Sequence, residues 1–144
     1  MAITNDRLRW LIDITVFMTP ITHTNFSTNT VNNSAIKNGY RVSSGAQSDA
    51  ISFDVILAKG TWTLELLHTK GTDTGIYTAA LAGSSVGTID GYGATTTYNN
   101  RSTITGIIVT KSGKKRMSLT MATKNGSSSS YFGRVQHIQW RRTA

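Results

Sequence analysis

The sequence predicts an all-β protein, an antiparallel β-sandwich of jelly-roll type with about eight strands. Composition is the first of three observations behind this. Thr, Ser, Gly and Asn number 23, 15, 13 and 9, so they make up 60 of the 144 residues, while Glu occurs once, at Glu65. Thr favours strands and Gly, Asn and Ser favour turns; a chain with so little Glu has little to build helices from. The second observation is apolar alternation with period two in several separate blocks, the mark of a strand with one buried face. The third is spacing: the blocks recur roughly every 8–14 residues with turn residues between them, as in a sandwich or barrel. At 144 residues the chain is long enough for one domain with a real core. A leading arm, residues 1–8, precedes a single domain over residues 9–144.

Taken in order, Arg9 to Met18 is β-rich and stops before Pro20, the only proline. Proline cannot donate to a ladder, so it closes this strand or marks an edge. Residues 21–49 are rich in Asn, Ser, Thr and Gly, with isolated Phe26, Val31, Ile36, Tyr40 and Val42, and read as a long loop carrying one or two short strands. Ile51, Phe53, Val55 and Leu57 alternate with Ser52, Asp54 and Ile56. After a turn at Lys59-Gly60, Trp62, Leu64, Leu66 and His68 alternate with Thr61, Thr63, Glu65, Leu67 and Thr69. A turn over Lys70–Thr74 leads to a strand from Ile76 to Leu81, a tight turn at Gly83-Ser84, and a returning strand from Val86 to Tyr92.

Residues 93–102 read as a loop holding Tyr98, Asn99 and Asn100. Ile104–Thr110 and Met117–Met121 flank Ser112-Gly113 and read as a β-hairpin with Lys111, Lys114, Lys115 and Arg116 at its tip. Residues 125–130 form a flexible loop. Tyr131 to Arg142 is the closing strand, with Phe132, Arg134, Gln136, Ile138 and Trp140 on one face and Tyr131, Gly133, Val135 and His137 on the other. The first and last strands, carrying Trp10 and Trp140, are expected side by side.

The same sequence argues against several chemistries. With no cysteine there is no disulfide framework and no thiolate. The opening Met1-Ala2-Ile3-Thr4-Asn5-Asp6 has no basic segment followed by an apolar one, so a product made in a cytoplasm and not exported by a signal peptide is expected. No apolar run approaches the roughly 18 residues that cross a bilayer. His23, His68 and His137 are far apart and show no metal-ligand spacing; a strand-face histidine is the simpler account of the last two. No nucleophile elbow and no phosphate-cradling glycine loop is present. The expectation is a protein without catalytic, cofactor-binding or metal-binding residues, one that binds and scaffolds.

Charge is skewed along the chain. Residues 1–100 carry six Lys/Arg against seven Asp/Glu; residues 101–144 carry nine Lys/Arg and no acid. Such a segment could meet nucleic acid or another polyanion, but the cations are dispersed and no RNA- or DNA-reading motif accompanies them. An acidic protein partner fits at least as well. Tyr92, Tyr98 and Tyr131 lie in or beside polar loops. Their rings are candidate glycan contacts, against the plainer account that they rim the sandwich. Four Asn-x-Ser triplets, at Asn25, Asn32, Asn100 and Asn125, are what chance supplies in a chain of this composition.

The stretch from Asp73-Thr-Gly-Ile-Tyr77 through Val86-Gly-Thr-Ile-Asp90 to Tyr92, with Lys59-Gly-Thr-Trp-Thr-Leu-Glu-Leu66 before it and Ile138-Gln-Trp-Arg-Arg-Thr143 at the end, resembles jelly-roll modules of phage virions. These are the C-terminal modules of tail fibres and spikes and the capsid decoration or cement proteins, and in shape they are similar to carbohydrate-binding modules. The resemblance covers roughly residues 50–143 as a pattern of strands and turns, and it carries no functional residues over. It implies a virion structural protein, a homotrimer that binds the major capsid protein or other virion proteins and stabilises the phage head shell. Arg7 and Arg9 near the arm, and Arg141 and Arg142 in the tail, are the candidate docking residues. The alternative is a receptor- or carbohydrate-binding module of a tail fibre or spike, contacting glycan through Tyr92, Tyr98 and Tyr131. A nucleic-acid-binding β-domain is a third, weaker reading.

Overall fold

The computed structural model describes residues 14–16, 22–24, 26–29 and 40–144, with side chains from Ser43 onward. The expected arm, Arg7, Arg9 and Trp10 lie outside the described residues. Eleven strands occur among the described residues, against about eight expected, because residues 21–49 carry three short strands rather than one or two: β1 (Ile14–Val16), β2 (Thr22–Thr24), β3 (Phe26–Asn29), β4 (Tyr40–Ser43), β5 (Ala50–Leu57), β6 (Gly60–Lys70), β7 (Ile76–Leu81), β8 (Ser84–Asp90), β9 (Thr97–Val109), β10 (Gly113–Thr123) and β11 (Arg134–Arg142). No helix occurs among the described residues, and none is long and apolar enough to cross a membrane.

The strands form two antiparallel sheets. One runs β3-β4-β11-β6-β9, with β1 also paired to β11; the other runs β2-β5-β10-β7-β8. The expected all-β sandwich of jelly-roll type is therefore observed, and the first and last strands do meet: Ile14, Thr15 and Val16 pair with Trp140, Gln139 and Ile138. The alternating residues face each other across the core. Phe53, Val55, Leu57, Met117 and Leu119 from one sheet pack with Trp62, Leu64, Leu66, Ile138 and Trp140 from the other, all fully or almost fully buried. Both buried indoles find partners: Trp62 Nε1–H donates to the Ala58 carbonyl at 2.9 Å and Trp140 Nε1–H to the Met117 sulfur at 3.4 Å. Truncating a Trp packed this way costs about 3–5 kcal/mol.

Three further expectations need correction. The β9–β10 segment is not a hairpin. β9 pairs with β6 in one sheet, while β10 lies between β5 and β7 in the other. Ile104, Ile107 and Val109 face Met117, Leu119 and Met121 across the core rather than within one sheet, so the connection through residues 110–112 turns a corner between sheets. The β5–β6 connection does the same, and the Lys59 N–H donates to Ser112 Oγ at 2.8 Å, tying the two corners together. By contrast the β7–β8 turn is a true hairpin, with Ala82 and Gly83 both at positive φ, 51° and 82°, as a primed turn requires.

Secondly, the loop expected at 93–102 is shorter, because β9 begins at Thr97 and uses Asn99 (φ 57°) in a bulge opposite β6. A second bulge in β9 holds Gly106 at φ 72°, a conformation that glycine adopts without strain.

Thirdly, β11 starts at Arg134 rather than Tyr131 and does not keep one face throughout. Val135 pairs with His68 and His137 with Leu67, leaving Gln136 as an extra residue. That bulge shifts the alternation by one, so Val135, Ile138 and Trp140 all point into the core.

Candidate functional site

All the connections of one kind end up together. The starts of β5, β7, β9 and β11 and the ends of β6, β8 and β10 bring residues 44–49, 71–75, 91–96 and 124–133 to one end of the sandwich. These four segments are knitted by backbone hydrogen bonds. Gly93 N–H donates to Gly71 O and Gly71 N–H to Gly91 O, each at 3.2 Å; Gly91 N–H donates to Gly75 O at 3.1 Å and Gly75 N–H to Phe132 O at 2.9 Å. Ser128 Oγ adds bonds to the Thr74 and Ser130 carbonyls, and Ser130 Oγ one to Gly45 O. Glycine is needed at 91 for space: a Cβ there would meet Thr74 Cγ2 at 2.3 Å and the Gly75 carbonyl at 2.7 Å.

The three candidate tyrosines all belong to this end. Tyr92 follows Asp90, whose carboxylate accepts from the Tyr92 N–H at 2.8 Å and from Asn125 Nδ2 at 2.8 Å. This joins the 91–96 loop to the 124–133 loop, and Gly71 bridges to Tyr92 on its other side. Tyr98 is at the start of β9 and is one of three large apolar residues left exposed among those described, at 38%. Tyr131 is half-buried against the core, and the Lys124 ammonium lies 5.3 Å from its ring centroid. The structure thus places Tyr92 and Tyr131 on two joined loops and Tyr98 at the start of the strand that follows the first of them, with Tyr131 already capped by a cation.

Residues with no signal in the sequence complete the site. Arg134 forms a two-pronged pair with Asp73, at 2.8 and 2.7 Å, donates to Thr74 Oγ1 at 3.0 Å, and stacks over Phe132 at 5.0 Å. The Arg134 hydrogen bonds hold the Asp73 carboxyl below the usual carboxylate range. Asp73 and Arg134 are 61 positions apart, so no local spacing could have joined them; only the Asp in a turn was visible. Beneath them the Arg134 N–H donates to the Tyr77 hydroxyl at 2.8 Å, and burial pushes that phenol up.

Tyr77 packs edge-on against His68, with centroids 5.3 Å apart. His68 is fully buried, with Nε2 3.0 Å from Ser102 Oγ. Burial, helped by the charge of Lys70, lowers it to about 4, so at neutral pH it is an uncharged core histidine. His137 lies on β11 opposite Leu67, away from these loops.

Of the docking residues, Arg141 is exposed on β11 opposite Thr63. Arg142 donates to the Lys59 carbonyl at 2.9 Å and the Ala144 carbonyl at 3.2 Å. The tail itself pairs with β6, since Thr61 N–H donates to Ala144 O and Thr143 N–H to Thr61 O, both at 2.8 Å. Both arginines stand at the end opposite the tyrosines.

No protein-family model and no curated protein sequence matches this chain. Solved structures do. The CBM36-1 domain of a multidomain xylanase from the hindgut metagenome of Trinervitermes trinervoides superposes with a TM-score of 0.67 at 16% identity, over 92% of this chain and 98% of that one. The carbohydrate-binding module CBM36 in complex with calcium and xylotriose gives 0.64 at 16% identity, over 89% and 98%. Paenibacillus xanthan lyase gives 0.69 at 23% identity over 85% of this chain, which spans only 12% of the lyase. At these identities the likeness establishes the fold: this chain has the jelly-roll sandwich of carbohydrate-binding modules. One of those modules holds calcium. Among the described residues here no three Asp, Glu or His gather as a metal site; Asp73 and Asp90 are engaged by Arg134 and Asn125.

Proposed function

We propose that this chain is a non-catalytic carbohydrate-binding module whose loop end takes up a glycan. The observation that carries the reading is the match of nearly the whole domain to two modules along 98% of their own lengths. It is supported by the coincidence, at one end, of three tyrosines with a dense set of hydroxyl, amide and backbone groups. Aromatic rings offer apolar faces to sugar rings, and fixed polar groups set orientation. Tyr98 is exposed and Tyr92 half-buried, and Asn125, Ser127 and Ser129 stand on the 124–133 loop. The segments are held by the ladder through Gly71, Gly75 and Gly91, so binding orders little that is not already ordered. Capsid cementing and nucleic-acid binding rest on the sequence resemblance and the charge skew alone.

The test is retention on soluble polysaccharides (xylan, glucomannan and β-glucan) by affinity electrophoresis, followed by calorimetry on any that bind. The triple variant Y92A/Y98A/Y131A, checked for wild-type circular dichroism, is expected to lose at least about tenfold in affinity, about 1.4 kcal/mol. A folded triple variant with wild-type affinity would overturn the loop site. Retention on none of the polysaccharides would overturn the function.

A further inference from the structure

The two ends of the sandwich differ in charge. At the loop end Asp49, Asp73 and Asp90 balance Lys70, Lys124 and Arg134. The corner end is built from the β5–β6 corner, the β9–β10 corner and the start of β10, joined by the Lys59–Ser112 hydrogen bond and by Arg142 on the Lys59 carbonyl. It gathers Lys59, Lys111, Lys114, Lys115, Arg116 and Arg142 against one acidic side chain, Asp54. Asp54 cannot neutralise it. Lys114 and Arg116 both contact that carboxylate at 2.6 Å, so even this cluster keeps a positive charge. Lys59, Lys111 and Lys115 meet no carboxylate among the described residues. The β10 cations lie on both faces of their strand. Lys114 and Arg116 sit opposite Ile56 and Asp54, whereas Lys115 sits opposite the core residue Val55.

We infer that the corner end is a second binding surface, for a carboxylated or sulfated polysaccharide, separate from the tyrosine-bearing loops. The inference rests on the glycan reading above and specifies an acidic chain for this end. Charge complementarity selects a polyanion. The choice of polysaccharide over nucleic acid follows from what accompanies the cations. Single-stranded nucleic acid is held by aromatic platforms beside the charge. Here the exposed large apolar residues near the corners are Ile56 and Ile108, Trp62 and Trp140 are buried, and Tyr92, Tyr98 and Tyr131 are at the far end. Lysines predominate; each is a compact point charge on a flexible stem, suited to a chain of spaced carboxylates or sulfates with no base to read.

The test uses the whole chain and its K59A/K111A/K115A variant. Lys59 makes its corner hydrogen bonds through the backbone, so the variant is expected to fold. Binding is measured to polygalacturonate, to a neutral xylan or glucomannan, and to a short DNA duplex, at about 50 and 200 mM NaCl. The expected result is affinity for polygalacturonate that falls steeply with salt and drops at least about tenfold in the triple variant, with neutral-glycan binding unchanged. Wild-type affinity of the triple variant for polygalacturonate would overturn the inference while leaving the loop site standing. So would a wild-type chain that binds the duplex more tightly than the polygalacturonate. Loss of neutral-glycan binding in Y92A/Y98A/Y131A with polygalacturonate binding retained would separate the two surfaces and support both.

Discussion

The Lys124 ammonium caps the ring of Tyr131, 5.3 Å from its centroid, while the rest of that ring packs on the core. A cation so placed competes with a sugar for the aromatic face. Exposed contacts of this kind are worth about 0.5–1 kcal/mol. K124A is therefore expected to raise affinity for a neutral glycan about two- to fivefold, read by calorimetry. K124A in a Y131A background is expected to change nothing. An equal gain in both backgrounds would mean that Lys124 acts on some group other than Tyr131.

Arg134 ties three parts of the loop end together, through Asp73, Thr74 and Phe132. Its side chain is 19% exposed and that of Asp73 32%, so water screens the pair only in part. Hydrogen bonds between charged groups are worth about 1.5–3 kcal/mol, and lysine cannot reproduce the two-pronged geometry. R134K is expected to lower stability by about 2 kcal/mol, measured as a urea midpoint shift at constant m. A variant within about 0.5 kcal/mol of wild type would show that the pair is not structural.

Gly91 and Gly126 make an internal comparison. A Cβ at 91 would run into Thr74 and the Gly75 carbonyl, whereas one at 126 meets nothing within 4 Å. G91A is expected to destabilise by about 1–3 kcal/mol and to weaken glycan binding, because the 91–96 loop must move off the 71–75 loop. G126A is expected to leave both unchanged. Equal thermal midpoints for the two variants would contradict the packing.

Burial holds His68 at about 4, below the 6.5 of a free histidine. Above pH 6.5 neither the folded nor the unfolded chain protonates it. Between about 6.5 and 4 the unfolded chain takes up a proton that the folded one refuses, so stability falls with falling pH and then levels off. The full loss is on the order of 3 kcal/mol. The pKa of His137 is also lowered, chiefly by burial, and contributes in the same direction. The decisive quantity is therefore the difference between wild type and H68Q across this window. H68Q is expected to flatten the fall in melting temperature, and parallel wild-type and H68Q curves would refute the assignment.

The strands themselves were legible because burial of one face imposes period two. Ile51–Leu57, Trp62–His68 and Met117–Met121 show it plainly, and each buries the predicted residues. The tight turn expected at Gly83-Ser84 was legible because a two-residue turn is a local event, and it sits one residue earlier, at Ala82-Gly83. The three candidate tyrosines were visible only as aromatics near polar loops. Their gathering at one end, and the partnership of Arg134 with Asp73 across 61 positions, follow from long-range packing that no local spacing shows.

The sequence by itself determined the class of fold, the core faces of the long strands and the uneven charge, since these depend on residues within a few positions of one another or on composition. Only the tertiary structure decided that β9 and β10 belong to different sheets. Only it showed that Gln136 bulges out of β11 to exchange amide hydrogen bonds with Asn99 of β9 at 2.8 and 3.2 Å, and that Lys111, Lys114, Lys115, Arg116, Arg141 and Arg142 stand at the end opposite the tyrosines while Lys124 and Arg134 stand beside them. The physical reason is common to all three. Alternation tells a strand which side to bury but not which strand to lie beside, and that choice is made by packing two sheets around one core.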